Sequence, residues 1–265
     1  MGARQVKKGA AFRALHEGEP FVIPNPWDAG SAGVLEALGF EALATTSSGF
    51  AFTLGRPDGS VTLEELAAHV RAVDAATGLP VSVDLENGFG PALEDAARAV
   101  RAAAEAGAVG GSIEDYGEPE GIYDFNLAVE RVAAAVEAAR GLDFEFTLTA
   151  RAENHLRGNP DLDDTIARLQ AFERAGADVL YAPALRDAEQ IRAVCAAVNR
   201  PVNVLAHPGL TKAEIVAAGA QRISVGGSLA WAAVEAMAAT AERIRDDGDF
   251  SGLSRPDRIR GWLTE

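Results

Sequence analysis

One unit recurs along this chain and leaves few folds open to it. A short apolar run is followed by a polar turn, then by an alanine-rich stretch with helical spacing, then by a glycine or proline stop before the next apolar run. The joints are ALGF before EALATTSSG, TGLP before VSVDLENG, AGAV before GGSIEDY, RGLDF before EFTLTARAEN, AGAD before VLYAPAL, NRP before VNVLAHPG and AGAQ before RISVGGS. With Phe21–Pro24 as the first, that makes eight strands. Glycine at the joints suits a helix end that turns into the left-handed region, and continuous apolar strands suit a parallel sheet covered by helices. With right-handed crossovers, eight such units close a (β/α)8 TIM barrel more naturally than they lie as an open doubly wound sheet. The 265 residues suit a single barrel domain, 1–265, because such barrels typically run to about 250 residues. Ala3–Glu17, closed by Gly18, is expected as an N-terminal helix across one end. Ser228–Asp247 is expected as a long helix and Phe250–Leu263 as one more short one, an excess over eight units that points to packing against another subunit.

The formal net charge of −15 argues against a nucleic-acid or anionic-membrane surface and leaves soluble small molecules as the expected ligands. One cysteine, Cys195, excludes an intrachain disulfide framework and sits in an amphipathic stretch, where a buried helix position is expected. The N-terminus has basic residues but no continuous apolar stretch, Val6 stands where a myristoylation signal wants Ser or Thr, and no segment has transmembrane length. These features together read as a cytoplasmic protein.

Active sites of such barrels lie at the C-terminal strand ends, and here those ends are polar. Pro80–Gly90, PVSVDLENGFG, delivers Asp84 and Glu86 to one side of a strand end by its period-2 geometry. Two carboxylates that close repel unless a cation lies between them, and hard oxygen ligands suit Mg²⁺, or Mn²⁺, better than zinc. The alternative is that either residue caps the next helix. A third carboxylate, Glu114, on the neighbouring strand strengthens the metal reading against a plain salt bridge to Arg151. Asn25, Trp27 and Asp28 follow strand one, Thr45 to Gly49 strand two, Glu153, Asn154 and His155 strand five, Asn203 and His207 strand seven, and Gly226, Gly227 and Ser228 strand eight.

Four of these stretches resemble one family along essentially the whole chain, the isocitrate lyase and phosphoenolpyruvate mutase superfamily. DLENGFG is similar to its D-x-D-x-G-Y-G metal strand, GGSIEDY to its I-E-D strand, LTARAE to its arginine motif, and TTSSGFAFTLGRPDG to its substrate loop. The resemblance implies a barrel whose last helix is exchanged between subunits of a homotetramer built as a dimer of dimers. It implies Mg²⁺-dependent making or breaking of a C–C or P–C bond beside a 2-oxo carboxylate. Asp84 would ligate the ion directly while Glu86, Glu114 and Asp58 hold its waters. Arg151 would grip the substrate; Ser47, Ser48 and Gly49 would receive its carboxylate, with Trp27 and Asn203 beside them.

The departures narrow the activity. Position 86 is Glu where the family has Asp, and the loop after strand four, YGEPEGIYDF, lacks the cysteine motif of isocitrate and methylisocitrate lyases and the lysine or asparagine of the phosphonate enzymes. His207, at a strand end, is the candidate proton-transfer group, against a surface histidine as the alternative. The expected activity is a Mg²⁺-dependent C–C lyase that acts on a small 2-oxo or 2-hydroxy acid through a chelated enolate. A phosphonate mutase or hydrolase and a catalytically silent 2-oxo acid binding protein are the alternatives. Glu118, Glu120 and Asp124 in a lid with no cation point to a small mono- or dicarboxylic acid as substrate.

Overall fold

The computed structural model describes residues 2–254, 261 and 262. Eight parallel strands lie in one sheet: β1 (Phe21–Ile23), β2 (Leu43–Ala44), β3 (Val81–Asp84), β4 (Gly110–Glu114), β7 (Thr147–Arg151), β8 (Val179–Tyr181), β9 (Val202–Leu205) and β10 (Arg222–Ser224). Their order is β1-β10-β9-β8-β7-β4-β3-β2, and at the remaining seam the Ala44 N–H donates to Pro24 O at 3.1 Å. The sheet thus curls into a (β/α)8 barrel, and every strand falls where the repeating unit places it.

The strands are not continuously apolar. Val83, Ile113, Leu148, Ala150, Leu180, Val202, Val204 and Ile223 belong to the main apolar core, and Val81 to a smaller cluster with Leu35, Leu43 and Val73. The alternate residues, Ser82, Asp84, Ser112, Glu114, Thr149, Arg151, Asn203, Arg222 and Ser224, are polar. Period-2 geometry sends one set to the covering helices and the other into the barrel. The lumen is therefore polar, and it leads up to the strand ends.

Helices α2 (Ala29–Ala37), α4 (Leu63–Ala75), α5 (Leu93–Glu105), α6 (Phe125–Arg140), α7 (Leu162–Arg174), α8 (Ala188–Ala197) and α9 (Lys212–Ala217) follow their strands. Several begin on a side-chain cap that satisfies an otherwise orphaned N–H, as Thr62 does for Glu65 N at 3.2 Å and Asp161 for Asp164 N at 3.0 Å. Gly39, Gly107, Gly176 and Gly219 stand in the left-handed region at the joints, with φ of +87°, +110°, +102° and +108°. Gly18 and Gly141, with φ of −97° and −76°, do not. Helix α1 (Ala3–Glu17) closes the barrel floor as expected: fully buried Phe12 fills the space left by Gly110, where an added Cβ would lie 2.6 Å from its ring. Cys195 is half-buried in α8, and burial pushes its thiol up to about 11.

Two elements are unexpected. The stretch after β2 forms a short helix, α3 (Ser47–Thr53), and the lid after β4 contains a hairpin of β5 (Tyr116–Gly117) and β6 (Gly121–Ile122). Helix α10 (Ser228–Asp247) has the expected bounds, and only Ala230 of it is buried. The expected short helix at Phe250–Leu263 falls partly outside the described residues, and Phe250–Ser254 is turn and coil. Among the described residues no helix is long and apolar enough to cross a membrane.

Candidate active site

Arg151 ends β7 and organises the site. Its Nη1 lies 2.9 Å from Asp84 Oδ1, and its Nη2 lies 3.0 Å from Glu114 Oε2 and 2.7 Å from Glu153 Oε1. Register explains the gathering: Glu114 pairs with Arg151 across β4 and β7, and Asp84 stands beside Ser112 across β3 and β4. Asp84 also accepts from the Glu86 N–H at 3.2 Å, and its own N–H donates to Thr45 Oγ1 at 3.0 Å. The ring of Tyr181 lies under the guanidinium, 5.3 Å away. The salt bridge between Glu114 and Arg151 thus exists, and it is part of the site.

Glu86 reaches the site by another route than strand periodicity. Strand β3 stops at Asp84, and Glu86 takes φ +48°, a turn that sends its side chain to an outer cleft. There burial, the Asp84 charge and the Asp58 charge push its carboxyl up to about 8. Burial raises Asp58 as well, against a hydrogen bond from Ser47, and burial raises Glu114 well above the usual carboxylate range against the pull of Arg151. Asp58, Glu86, Glu114, Ser47, Arg151 and Arg157 all line this cleft of about 1110 Å³. A smaller cavity of about 190 Å³ continues inward past Ser47, Ser48, Asp58, Asp84, Arg151, Tyr181 and Asn203.

The other candidates fare differently. Asn203 lies at the inner cavity, buried, with its Nδ2 donating to Ser224 Oγ at 3.0 Å. Gly49 is buried and packed on Trp27, and its N–H is directed to Thr46 Oγ1 at 3.4 Å, so it offers nothing to a ligand. Trp27 lines neither cavity because its Cβ packs against Gly49 of α3. His207 also lines neither, since its Nδ1 turns back to accept from the Gly209 N–H at 3.0 Å; the proton-transfer role expected of it has no support in the geometry. Gly226 gives its N–H to Asn25 Oδ1 at 2.9 Å, and it lines the inner cavity with Gly227. In the lid, Tyr123 is buried and accepts from Asn87 Nδ2 at 2.9 Å, whereas Tyr116 faces the cleft.

Two partners went unread in the sequence. Glu153, fully buried and named from the sequence only as a strand-end residue, is the third acid on Arg151, and Arg157 brings to the lid the cation that the lid's own sequence lacks. The i,i+4 spacing of Glu153 and Arg157, which lie 3.3 Å apart, was the available signal. Among the described residues no three acidic or imidazole side chains already form a closed metal-ligand cluster. The donor set nonetheless fits a hard divalent cation: five carboxylates, Asp58, Asp84, Glu86, Glu114 and Glu153, meet two guanidinium groups, and Glu86 is raised by the acids around it. An ion held by one protein oxygen and several waters suits this arrangement.

Comparison with known proteins decides the family. The profile described as Phosphoenolpyruvate phosphomutase matches residues 12–245. The chain belongs to the phosphoenolpyruvate phosphomutase family. Within the family's reach, a solved structure from Burkholderia cenocepacia J2315, described in general terms as a lyase/mutase, superposes with a TM-score of 0.96 at 51% identity over 100% of this chain and 98% of that one. An oxaloacetate decarboxylase of Rhodopseudomonas palustris strain BisB5 is 32% identical over 260 residues, covering 94% of this chain and 90% of the relative. The structure of 2,3-dimethylmalate lyase, named as a PEP mutase/isocitrate lyase superfamily member, gives a TM-score of 0.86 at 25% identity over 97% of this chain and 95% of that one. This phosphoenolpyruvate phosphomutase family chain is an enzyme of the isocitrate lyase/PEP mutase type.

Proposed function

We propose that this enzyme is a Mg²⁺-dependent lyase that cleaves the C–C bond beside the 2-oxo carboxylate of a small acid, with decarboxylation of oxaloacetate as the leading reaction. The observation that carries the reading is the excess of acid around Arg151 at the mouth of an inner cavity of about 190 Å³. That volume is below the usual range for drug-sized ligands, so the cavity admits only a small molecule. The 32% identity to an oxaloacetate decarboxylase supports the same substrate class.

Asp84 would hold the ion directly, with Asp58, Glu86 and Glu114 on its waters. When bound, Mg²⁺ supplies a positive charge for the oxygen that becomes negative as the bond breaks. The chain's own residues do the rest. Arg151, fixed by Asp84, Glu114 and Glu153, presents a preorganised guanidinium that need not reorient during reaction. Ser47 and Ser48 offer hydroxyls at the inner cavity, and the β5–β6 hairpin lines the outer cleft, where its closure would exclude water. A lid without cysteine, lysine or histidine suits decarboxylation better than a cleavage that starts by removing a proton from a hydroxyl.

The test is a substrate panel of oxaloacetate, methylisocitrate, isocitrate, dimethylmalate and phosphonopyruvate, with and without Mg²⁺, followed by release of 2-oxo acid or phosphate. Mg²⁺-dependent turnover of oxaloacetate is expected, with loss of roughly 10³-fold in Asp84→Ala. Phosphate release from phosphonopyruvate as the fastest reaction, or no turnover of any compound, overturns the reading. We also propose that a second copy of the chain packs against α10, of which only Ala230 is buried and whose Leu229, Trp231 and Met237 are 36%, 44% and 62% exposed. Light scattering should then give a mass above the 27.6 kDa of one chain.

A further inference from the structure

We propose that Arg157 selects the substrate's second carboxylate and couples its capture to closure of the lid. This rests on the 2-oxo acid reading above and adds to it a residue that decides between mono- and dicarboxylic acids.

Three guanidinium groups line the outer cleft, those of Arg98, Arg151 and Arg157. Arg98 sits on α5, half exposed and paired with Asp95 at 2.8 Å. Arg151 is 11% exposed and holds three carboxylates at 3.0 Å or less. Arg157 is 35% exposed, and its contacts are longer: 3.5 Å to Glu114 Oε1 and 3.3 Å to Glu153 Oε2. Glu153 Oε2 is buried with no aligned hydrogen bond, so this second contact is a charge contact only. Arg157 shares both acids with Arg151 and binds each less closely. It is therefore the cleft cation with N–H groups free to turn toward an incoming anion, whereas turning Arg151 would break the rim apart.

Its position adds the second half of the inference. The guanidinium carbon lies 3.7 Å from the centre of the Tyr116 ring, and Tyr116 begins the lid hairpin. A planar guanidinium can stack on a ring and still present its edge to a carboxylate, which an ammonium cannot do. The hydroxyl of Tyr116 donates to Glu118 at 2.9 Å, so the lid's own acid is tied to the ring on which Arg157 rests. A carboxylate held at the edge of Arg157 would hold Tyr116, and through it the hairpin, over the cleft. A substrate whose only carboxylate lies at the 2-oxo end has nothing for Arg157 to hold.

Displacement of labelled oxalate from the Mg²⁺-loaded protein, by pyruvate and separately by oxaloacetate, followed by rapid mixing before oxaloacetate is turned over to pyruvate, tests this in wild type, Arg157→Gln and Arg157→Lys. Arg157→Gln should require about tenfold more oxaloacetate and an unchanged amount of pyruvate. Arg157→Lys should fall between, because it restores the charge without the stacking plane. An equal shift for both acids would reduce Arg157 to a structural support, and no shift for either would remove it from recognition; both overturn the proposal. Failure of wild type to hold oxalate at all would instead overturn the 2-oxo acid reading, and this inference with it. Amide exchange over residues 116–122 supplies a readout apart from affinity: oxaloacetate should slow it in wild type and leave it unchanged in Arg157→Gln.

Discussion

On the barrel rim one guanidinium, Arg151, is held by three carboxylates, while on the floor another, Arg222, meets only neutral groups among the described residues. Arg222 donates from Nε to Asn203 Oδ1 at 2.8 Å and from Nη2 to Thr149 Oγ1 at 2.9 Å, and its Nη1 lies 3.1 Å from His16 Nε2. Burial pulls this arginine down to about 10, still charged at neutral pH. The floor thus spends its polar groups on a buried network of hydrogen bonds at the bottom of the inner cavity. The rim instead keeps more acid than it can neutralise. The difference separates the two purposes of buried polarity in one barrel: the floor fixes α1 against the sheet, and the rim leaves charge for a cation and substrate to complete.

Removing each arginine tests that contrast most strongly. Arg151→Met strands Glu114 and Glu153, 8% and 0% exposed, without their main counter-charge. Breaking a buried ion group in this way should cost about 3–5 kcal/mol in denaturant unfolding and take activity below detection. A loss under about 1 kcal/mol would mean that the rim does not depend on its cation. Arg222→Met should cost less, about 1–3 kcal/mol, because it leaves neutral acceptors unpaired and also relieves the burial of a lone charge. If Arg222→Met proved the more damaging of the two, the division between floor and rim would be reversed.

How far the sequence revealed this depends on the distance over which each feature is set. The strands were legible because each is bounded by local signals, glycine or proline before and, for all but β8, polar residues soon after. Asp84, Glu114 and Arg151 were legible for the same reason, as each ends a strand that the joints locate. The polar lumen was present in VSVD, TLTAR and RIS but was masked by the expectation that a covered parallel sheet is apolar throughout. The placement of Gly49, Trp27 and His207 away from both cavities was not legible, because nothing local shows that a helix starts at Ser47 or that His207 Nδ1 accepts from the Gly209 N–H. Arg157 acts across 41 residues of chain on Tyr116, a contact that only the folded loops create.

The smallest of these effects reads the floor through pH. His16 Nδ1 lies 2.8 Å from the Phe12 carbonyl oxygen, to which it must donate, and its Nε2 faces an arginine N–H, from which it must accept. Only the neutral ring protonated on Nδ1 satisfies both. Burial, then the charge of Arg222, depress His16 to about 3, while Phe12 and Phe21 meet its ring edge to face and bring no charge of their own. The unfolded chain takes up a proton near the ordinary histidine value of about 6.5, and the folded chain refuses it until far lower. The stability this ring contributes is therefore complete above about 6.5 and is lost as pH drops below it, by at most roughly 2 kcal/mol at pH 5. His69, stacked on Phe50 and depressed by burial to about 4, adds a loss of the same sign. Glu86, raised to about 8, and Asp115, raised to about 6, take up protons in the folded chain over the same range and pull the other way in both proteins, so the comparison isolates the ring: unfolding midpoints in urea between pH 7.5 and 5 should drop further, or rise less, in wild type than in His16→Gln, which keeps a donor and an acceptor but does not titrate. An equal slope in the two proteins would show that the proton is not excluded at this ring, and that the neutrality of the floor does not come from His16.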